Sequence, residues 1–183
     1  MTTVLFVGLL EKHKGFDIAL SAFLRAKDRL GENIRFLIAG EGSLASLLSG
    51  IEKKSIVYLG QLSRSRLVSV YQEADLFISP AIDTMRLGQI TQEEQFGFSL
   101  AEALASGLPI IATTCGAIPE IIGPQNIIIP QRSEKDLVDA IEKLAKDPDL
   151  RFSIGEGNRA RAKRLFDIEK QSETFGKLVL GSI

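Results

Sequence analysis

One cysteine, Cys115, and one histidine, His13, occur among 183 residues. A lone cysteine excludes an internal disulfide, and the two residues together fall short of the sets that usually hold zinc. This usage fits a reducing, cytoplasmic setting. Surplus positive charge is also missing: 22 Lys and Arg stand against 23 Asp and Glu, for a net charge of −1. Little is left to neutralise a phosphate backbone, so nucleic acid is a poor partner. No apolar run approaches the roughly 18 residues of a transmembrane segment. The apolar start, Val4 to Leu10, has no basic residue before it and runs into Glu11-Lys12-His13-Lys14. It therefore reads as a strand and not as a signal peptide. Repeats, low-complexity tracts and interdomain linkers are lacking as well. What remains, 45% hydrophobic and 25% charged, is the composition of one globular domain spanning residues 1–183.

Short apolar, β-branched runs recur at Val4 to Gly8, Ile34 to Gly40, Ile56 to Gly60, Leu76 to Pro80, Pro109 to Thr113 and Ile127 to Pro130. Each stops at Gly, Pro or a polar residue, the pattern of buried strands. Helical spacing separates them: Ile18, Ala19, Ala22, Phe23 and Ala26 share a face, as do Leu67, Val70, Tyr71 and Ala74. Alternation with helical crossovers predicts an α/β fold, a Rossmann-like doubly wound parallel sheet of about six strands with helices on both faces. After Pro130 the pattern turns helical to the C-terminus, with Ser133-Glu-Lys-Asp136 as a capping box and Asp147-Pro148 closing that helix. Ala81 to Glu93 has no clear period and is long for a strand-to-helix loop.

Four loops carry candidate chemistry, and in this topology all four fall at the carboxyl ends of strands, along one crevice. In Gly8-Leu-Leu-Glu-Lys-His-Lys14-Gly15, Lys14 sits near a helix N-terminus, where its charge and free amides could hold a diphosphate; spacing alone favours a surface lysine beside a turn glycine. In Gly40-Glu-Gly42-Ser43, glycines allow close backbone approach and Ser43 is placed to cap the next helix. In Glu94-Gln-Phe-Gly97-Phe98-Ser99-Leu100-Ala-Glu102, two carboxylates bracket a helix N-terminus. Ser99, Glu102 and Ser106 then share one face, while Leu100, Ala101, Leu104 and Ala105 share another. Solvated surface charges are the bland alternative for both glutamates. The fourth loop, Thr114-Cys-Gly116-Ala-Ile-Pro119-Glu120, is a turn or a simple connector. Cys115 has no second histidine to activate it and reads as packing. Arg159, Arg161, Lys163 and Arg164 form a basic run on a helical tail, most simply a solvated face.

Taken in order, Gly8 to Gly15, Phe36 to Gly42, Tyr58-Leu-Gly60, Tyr71 to Pro80, Glu94 to Pro109, Gly116 to Ile122 and Phe166 to Glu169 resemble the motifs of retaining, nucleotide-sugar-dependent glycosyltransferases of the GT-B type, glycosyltransferase group 1. The resemblance implies the C-terminal, donor-binding half of a two-domain enzyme. The acceptor site and a mechanistic histidine would come from an N-terminal domain, in cis or as a separate chain, so the fragment alone would be inactive. It implies hexosyl transfer from a UDP-, GDP- or ADP-sugar without a bound metal or other cofactor. Lys14 would contact the diphosphate and Glu94 the sugar, as the catalytic pair. Gly8 would belong to the donor site, and Gly42 would lie against the nucleotide. Glu102 would bind the ribose hydroxyls, the amides from Gly97 and Phe98 through Ser99 to Leu100 the departing phosphate, and Gln61 with Leu62 would lie near the base.

Two departures stand out. The family usually has an arginine where this chain has Leu9, and the Ala81 to Glu93 loop is extended, so that it would reshape the donor-sugar pocket or contact another chain. A non-catalytic nucleotide-binding or interaction module with a weakened donor site is the alternative, and a sugar-nucleotide epimerase a third reading that the two glutamates disfavour. Acceptors of such enzymes are commonly lipid-borne, which leaves peripheral association with the inner membrane face open.

Overall fold

The computed structural model describes residues 1–51, 54–86 and 89–180, without the side chains of residues 86 and 178–180. Alternation along the strands builds two cores, one on each face of a single sheet. That sheet comprises β1 (Thr2–Val7), β2 (Ile34–Ala39), β3 (Ile56–Gly60), β4 (Leu76–Ser79), β7 (Ile110–Thr113) and β8 (Ile127–Ile129), with β5 (Thr84–Arg86) and β6 (Gln89–Gln92) forming a separate hairpin. The sheet order is β3-β2-β1-β4-β7-β8, and every pairing is parallel, with Val4 opposite Phe36 and Leu76.

Successive side chains of a strand point to opposite faces. Val4 and Phe6, Phe36 and Ile38, Leu76 and Ile78 meet α1 (Phe16–Leu30) and α5 (Glu134–Lys146) on one face. Leu5, Leu37, Phe77 and Ala112 meet α2 (Arg64–Glu73), α3 (Phe98–Ala105) and α4 (Ile118–Ile122) on the other. Because both faces are covered, the central strands need continuous apolar runs, and that is what the sequence supplies. Phe23 of α1 is fully buried and stacks on Phe36 of β2 with centroids 4.9 Å apart. Truncating it to alanine removes a contact of this core at a cost of about 3–5 kcal/mol.

The tail, α6 (Pro148–Leu165) and α7 (Ile168–Leu180), starts at a shared cap. Ser133 accepts from the Asp136 amide to open α5, and Asp147, which ends that helix, accepts from the Leu150 amide at 2.8 Å to open α6, with Pro148 in its first turn. Ile154 reaches the first core and Ala162 the second, so α6 spans the sheet edge. Asn158 fixes it there. Fully buried, its amide donates to the Leu108 carbonyl (2.7 Å) and to Asn126 Oδ1 (2.9 Å), and its oxygen accepts from Asn126 Nδ2 (2.8 Å). Asn126 in turn accepts from the Ile110 amide at the start of β7.

Three local expectations change. Ser43 does not cap a helix: its amide and hydroxyl both donate to the Glu11 carboxylate, at 2.6 and 2.8 Å, and the segment Ser43–Leu48 is a 3₁₀ helix. Those two bonds hold the Glu11 carboxyl below its ordinary range. On α3 the buried set is Leu100, Ala103 and Leu104, while Ala105 is exposed: the face that meets the sheet is the i, i+3, i+4 set from Leu100, with Ala101 half-buried at its margin. Within Ala81 to Glu93, β5 and β6 pair antiparallel, and the Thr91 hydroxyl donates to the Thr84 carbonyl at 3.0 Å. Strands of three and four residues are too short to show a period of two; residues 87 and 88 lie outside the described residues.

Candidate functional site

From β1 the chain builds outward through β2 and β3, then crosses to the far side of β1 for β4, β7 and β8. The reversal leaves a crevice between the carboxyl ends of β1 and β4, where no crossover helix fills the space. A cavity of about 520 Å³ opens there, lined by Gly8, Leu9 and Lys14 from the first loop, Ser79 at the end of β4, and Glu94, Gln95, Phe96, Gly97, Phe98, Ser99 and Glu102 around α3.

Lys14 closes a 3₁₀ turn, Lys12–Lys14, that Gly15 ends in the left-handed conformation (φ 68°). Glycine is required, since a Cβ would stand 1.9 Å from the Pro80 carbonyl oxygen. The tight packing of this turn on the end of β4 aims Lys14 at the next loop. Its Nζ lies 2.6 Å from Glu94 Oε2, and the side chains are 29% and 13% exposed. Glu94 is held from behind: the Ala117 amide donates to its carbonyl at 2.8 Å, and Gly116 (φ 50°) comes so near that a Cβ would be 2.2 Å from the same oxygen. The fourth loop therefore acts as the brace of the third. A second cavity, of about 690 Å³, shares Lys14, Glu94 and Gln95 with the first and is walled by Ile90, Thr91 and Gln92 of the hairpin. The Lys14–Glu94 pair stands between the two.

Gly97, left-handed at φ 66°, starts α3 without any side-chain cap and without an acidic residue in the first turn. The Leu100 amide bends back to the Gly97 carbonyl at 2.9 Å. Phe98 and Ser99 keep the orphan amides of the helix end, where the helix dipole also favours an anion. One turn on, Glu102 Oε2 accepts the phenol of Tyr71 at 2.9 Å. Burial, and then Glu102 beside it, push the Tyr71 hydroxyl well above the ordinary tyrosine range, so it stays a donor. Phe96 stacks edge-on against Phe98 (5.2 Å) and Phe166 (5.5 Å), bracing this loop on the end of α6.

Of the residues expected at the site, Gly8, Lys14, Glu94, Gly97, Phe98, Ser99 and Glu102 line one cavity, and Leu9 joins them, 53% exposed. Leu100 lies beneath in the core with its amide engaged. Gly42 is outside the lining and packs on the Leu10 backbone, where a Cβ would come within 2.5 Å of the carbonyl oxygen. Gln61 is exposed and Leu62 half-buried against the second core, both beyond the cavity wall. Tyr71 and Ser79 were not foreseen at the site; the hairpin belongs to the Ala81 to Glu93 loop that was expected to shape the pocket, though not as paired strands.

Cys115 is buried, and burial followed by the Asp83 carboxylate pushes its thiol up to about 12, which removes it as a nucleophile. Half of the basic run is engaged as well: Arg161 donates to the Ile121 (2.8 Å) and Glu120 carbonyls at the end of α4, and Arg159 to the Ser106 carbonyl (3.3 Å) at the end of α3. Both cap helix C-termini, where cations are favoured. Among the described residues no group of three His, Cys, Asp or Glu could hold a metal ion, and no helix is long and apolar enough to cross a membrane.

A doubly wound sheet with an anion-ready helix end at its switch point is the architecture of the Rossmann-like α/β class. Comparison with known proteins makes this specific: the family model for glycosyl transferases group 1 matches residues 2–161, and the chain belongs to that family. The D-inositol 3-phosphate glycosyltransferase of Corynebacterium aurimucosum is 30% identical over 166 residues, covering 84% of this chain and 37% of the relative. Across four curated D-inositol 3-phosphate glycosyltransferases that it matches, the chain spans 37 to 42% of their length. A TarM mutant from S. aureus, crystallised with UDP, fondaparinux and alpha-GlcNAc-glycerol, superposes with a TM-score of 0.78 at 20% identity, covering 97% of this chain and 35% of that one. The C-terminal domain of the group 1 family protein LpcC from Francisella tularensis superposes with a TM-score of 0.72 at 21% identity, covering 90% and 85%. The fold is thus that of a GT-B C-terminal domain.

Proposed function

We propose that this chain is the donor-binding half of a retaining glycosyltransferase that takes a hexose from a nucleoside diphosphate sugar. One observation carries the reading: Lys14, Glu94, Glu102 and the uncapped start of α3 converge on a single cavity at the switch point. A ribose fits at Glu102, whose carboxylate can accept paired hydroxyls, and a diphosphate across the Phe98 and Ser99 amides toward Lys14. The sugar then falls at Glu94, at the wall shared with the second cavity, where Gln92 and Gln95 offer amides to its hydroxyls. The hairpin is thereby part of the donor-sugar pocket.

In the transfer, the bond from the anomeric carbon to the diphosphate oxygen breaks, and the acceptor oxygen bonds to the same face of that carbon. Charge gathers on the departing diphosphate. The orphan amides lie where that charge develops and are already held in place, and Lys14 reaches it by turning from Glu94, so no metal is needed in this scheme. The acceptor and a basic group for its proton come from a second, N-terminal domain, in cis or as a separate chain, and the chain alone does not turn over. The enzyme works in the cytoplasm, with peripheral docking at the inner membrane face resting on Lys163 and Arg164, the exposed remainder of the basic run.

A second reading, a non-catalytic nucleotide-binding or interaction module whose weakened donor site binds nucleotide poorly or not at all, is favoured by Leu9, an exposed apolar side chain on the diphosphate side of the cavity. Titrating the chain with UDP, GDP, ADP and their sugar conjugates, by heat and by melting temperature, separates the two. At a ligand concentration about 100 times Kd, binding stabilises by about 2.7 kcal/mol, or about 5–10 °C. Saturable binding of one nucleotide, lost in Glu102→Ala, supports the donor site. No binding at millimolar concentration sinks it.

A further inference from the structure

Glu102 stands one turn into α3 with a flexible side chain at the mouth of an open cavity, and a carboxylate so placed can take several rotamers. In this protein it is not left free. Tyr71, from α2, is buried with its ring beside Phe77 at 6.0 Å, and its hydroxyl lies 2.9 Å from Glu102 Oε2 and 3.2 Å from the Ser99 carbonyl. A phenol has a single proton, and the nearer, charged oxygen takes it. No other hydrogen bond to the Glu102 side chain is found among the described residues. One carboxylate oxygen is thus tied to the wall and the other is available to a ligand.

We infer that Tyr71 is a positioning residue for ribose recognition: by holding Glu102 Oε2, it presents the second oxygen of that carboxylate to the vicinal hydroxyls of a nucleoside diphosphate. This rests on the donor-site reading above. The ring of Tyr71 serves the core and the hydroxyl serves the site, so the two roles can be separated by one atom. The hydroxyl also works across a wide pH range, because the same burial that positions it keeps it protonated. Among the described residues no other side chain bonds to Glu102, and Lys14 is engaged at Glu94.

The test compares a nucleoside diphosphate with its 2′,3′-dideoxy analogue, using whichever of UDP, GDP or ADP the chain binds tightest. Wild type should prefer the ribonucleotide. In Tyr71→Phe that ligand should weaken about 10- to 150-fold, the range for one hydrogen bond to a charged group, while the dideoxy analogue binds as before. In a Glu102→Ala background, adding Tyr71→Phe should change neither. Equal weakening of both ligands by Tyr71→Phe would assign the hydroxyl a structural role, and no change in either would remove the role altogether; both outcomes overturn the inference and leave the donor site standing. Wild type that does not distinguish the two ligands would overturn the ribose site and this inference with it. Glu102→Gln with Tyr71 intact gives a second arm: with the charge gone but the tyrosine contact kept, it should retain part of the ribose preference that Glu102→Ala loses.

Discussion

Leu9→Arg is the substitution that reaches furthest into the account of the donor site. Leu9 is 53% exposed and shares the cavity wall with Gly8 and Lys14, so an arginine there enters open space and displaces no packing. Stability should stay within about 0.5 kcal/mol. A second cation facing the diphosphate would add a charge-assisted hydrogen bond, about 1.5–3 kcal/mol in a sheltered site. Two effects reduce it. The half-open position is screened by solvent, and in the empty cavity the new guanidinium faces the carboxylates of Glu94 and Glu102, which favours the unbound state. About 1.4 kcal/mol should survive, a tenfold fall in Kd for a nucleoside diphosphate. Calorimetric titration at low and high salt measures it, with Leu9→Gln as the neutral control. The gain should shrink as ionic strength rises toward about 1 M, where screening acts over about 3 Å. An unchanged Kd at low salt in a folded Leu9→Arg variant would refute the placement of the diphosphate beside the first loop.

Other perturbations probe separate parts of the structure. Asn158→Leu strands the Leu108 carbonyl and the Asn126 side chain in the core; a loss of about 3 kcal/mol, or about 6–12 °C in Tm, is expected by urea or thermal unfolding. Gln92→Ala should leave the affinity for the bare diphosphate unchanged and weaken its sugar conjugate about fivefold, one neutral hydrogen bond, in paired titrations. Cys115 should resist iodoacetamide at pH 8 until the chain is unfolded. Its thiol is raised to about 12 in the fold, above the unfolded value of about 8.5, so native stability is intact below that value and falls as pH climbs from about 8.5 toward 12.

The parallel sheet was legible because its central strands, β1, β2, β4 and β7, are buried on both faces and so read as apolar runs. The site was legible in part because loops at a switch point must carry glycine where backbones meet: Gly15 against Pro80 and Gly116 against Glu94 are such places. The same cue at Gly42 marks a close approach to the Leu10 carbonyl, outside the lining of the cavity. Tyr71 was hidden because its hydroxyl meets Glu102 across 31 residues of sequence, and the helical spacing of α2 explains the ring without the oxygen. The hairpin was hidden by its brevity. The Leu100 amide was lost to the site because α3 opens with a tight turn onto Gly97, a detail of helix ends that periodicity does not resolve.

The most direct measurement is a crystal structure of the chain with the nucleoside diphosphate it binds tightest. The expected density places the phosphates within hydrogen-bond distance of the Phe98 and Ser99 amides, with Lys14 Nζ turned from Glu94 to a phosphate oxygen and the ribose on Glu102. Phosphates bound elsewhere, with the Lys14–Glu94 pair still closed, would contradict the site.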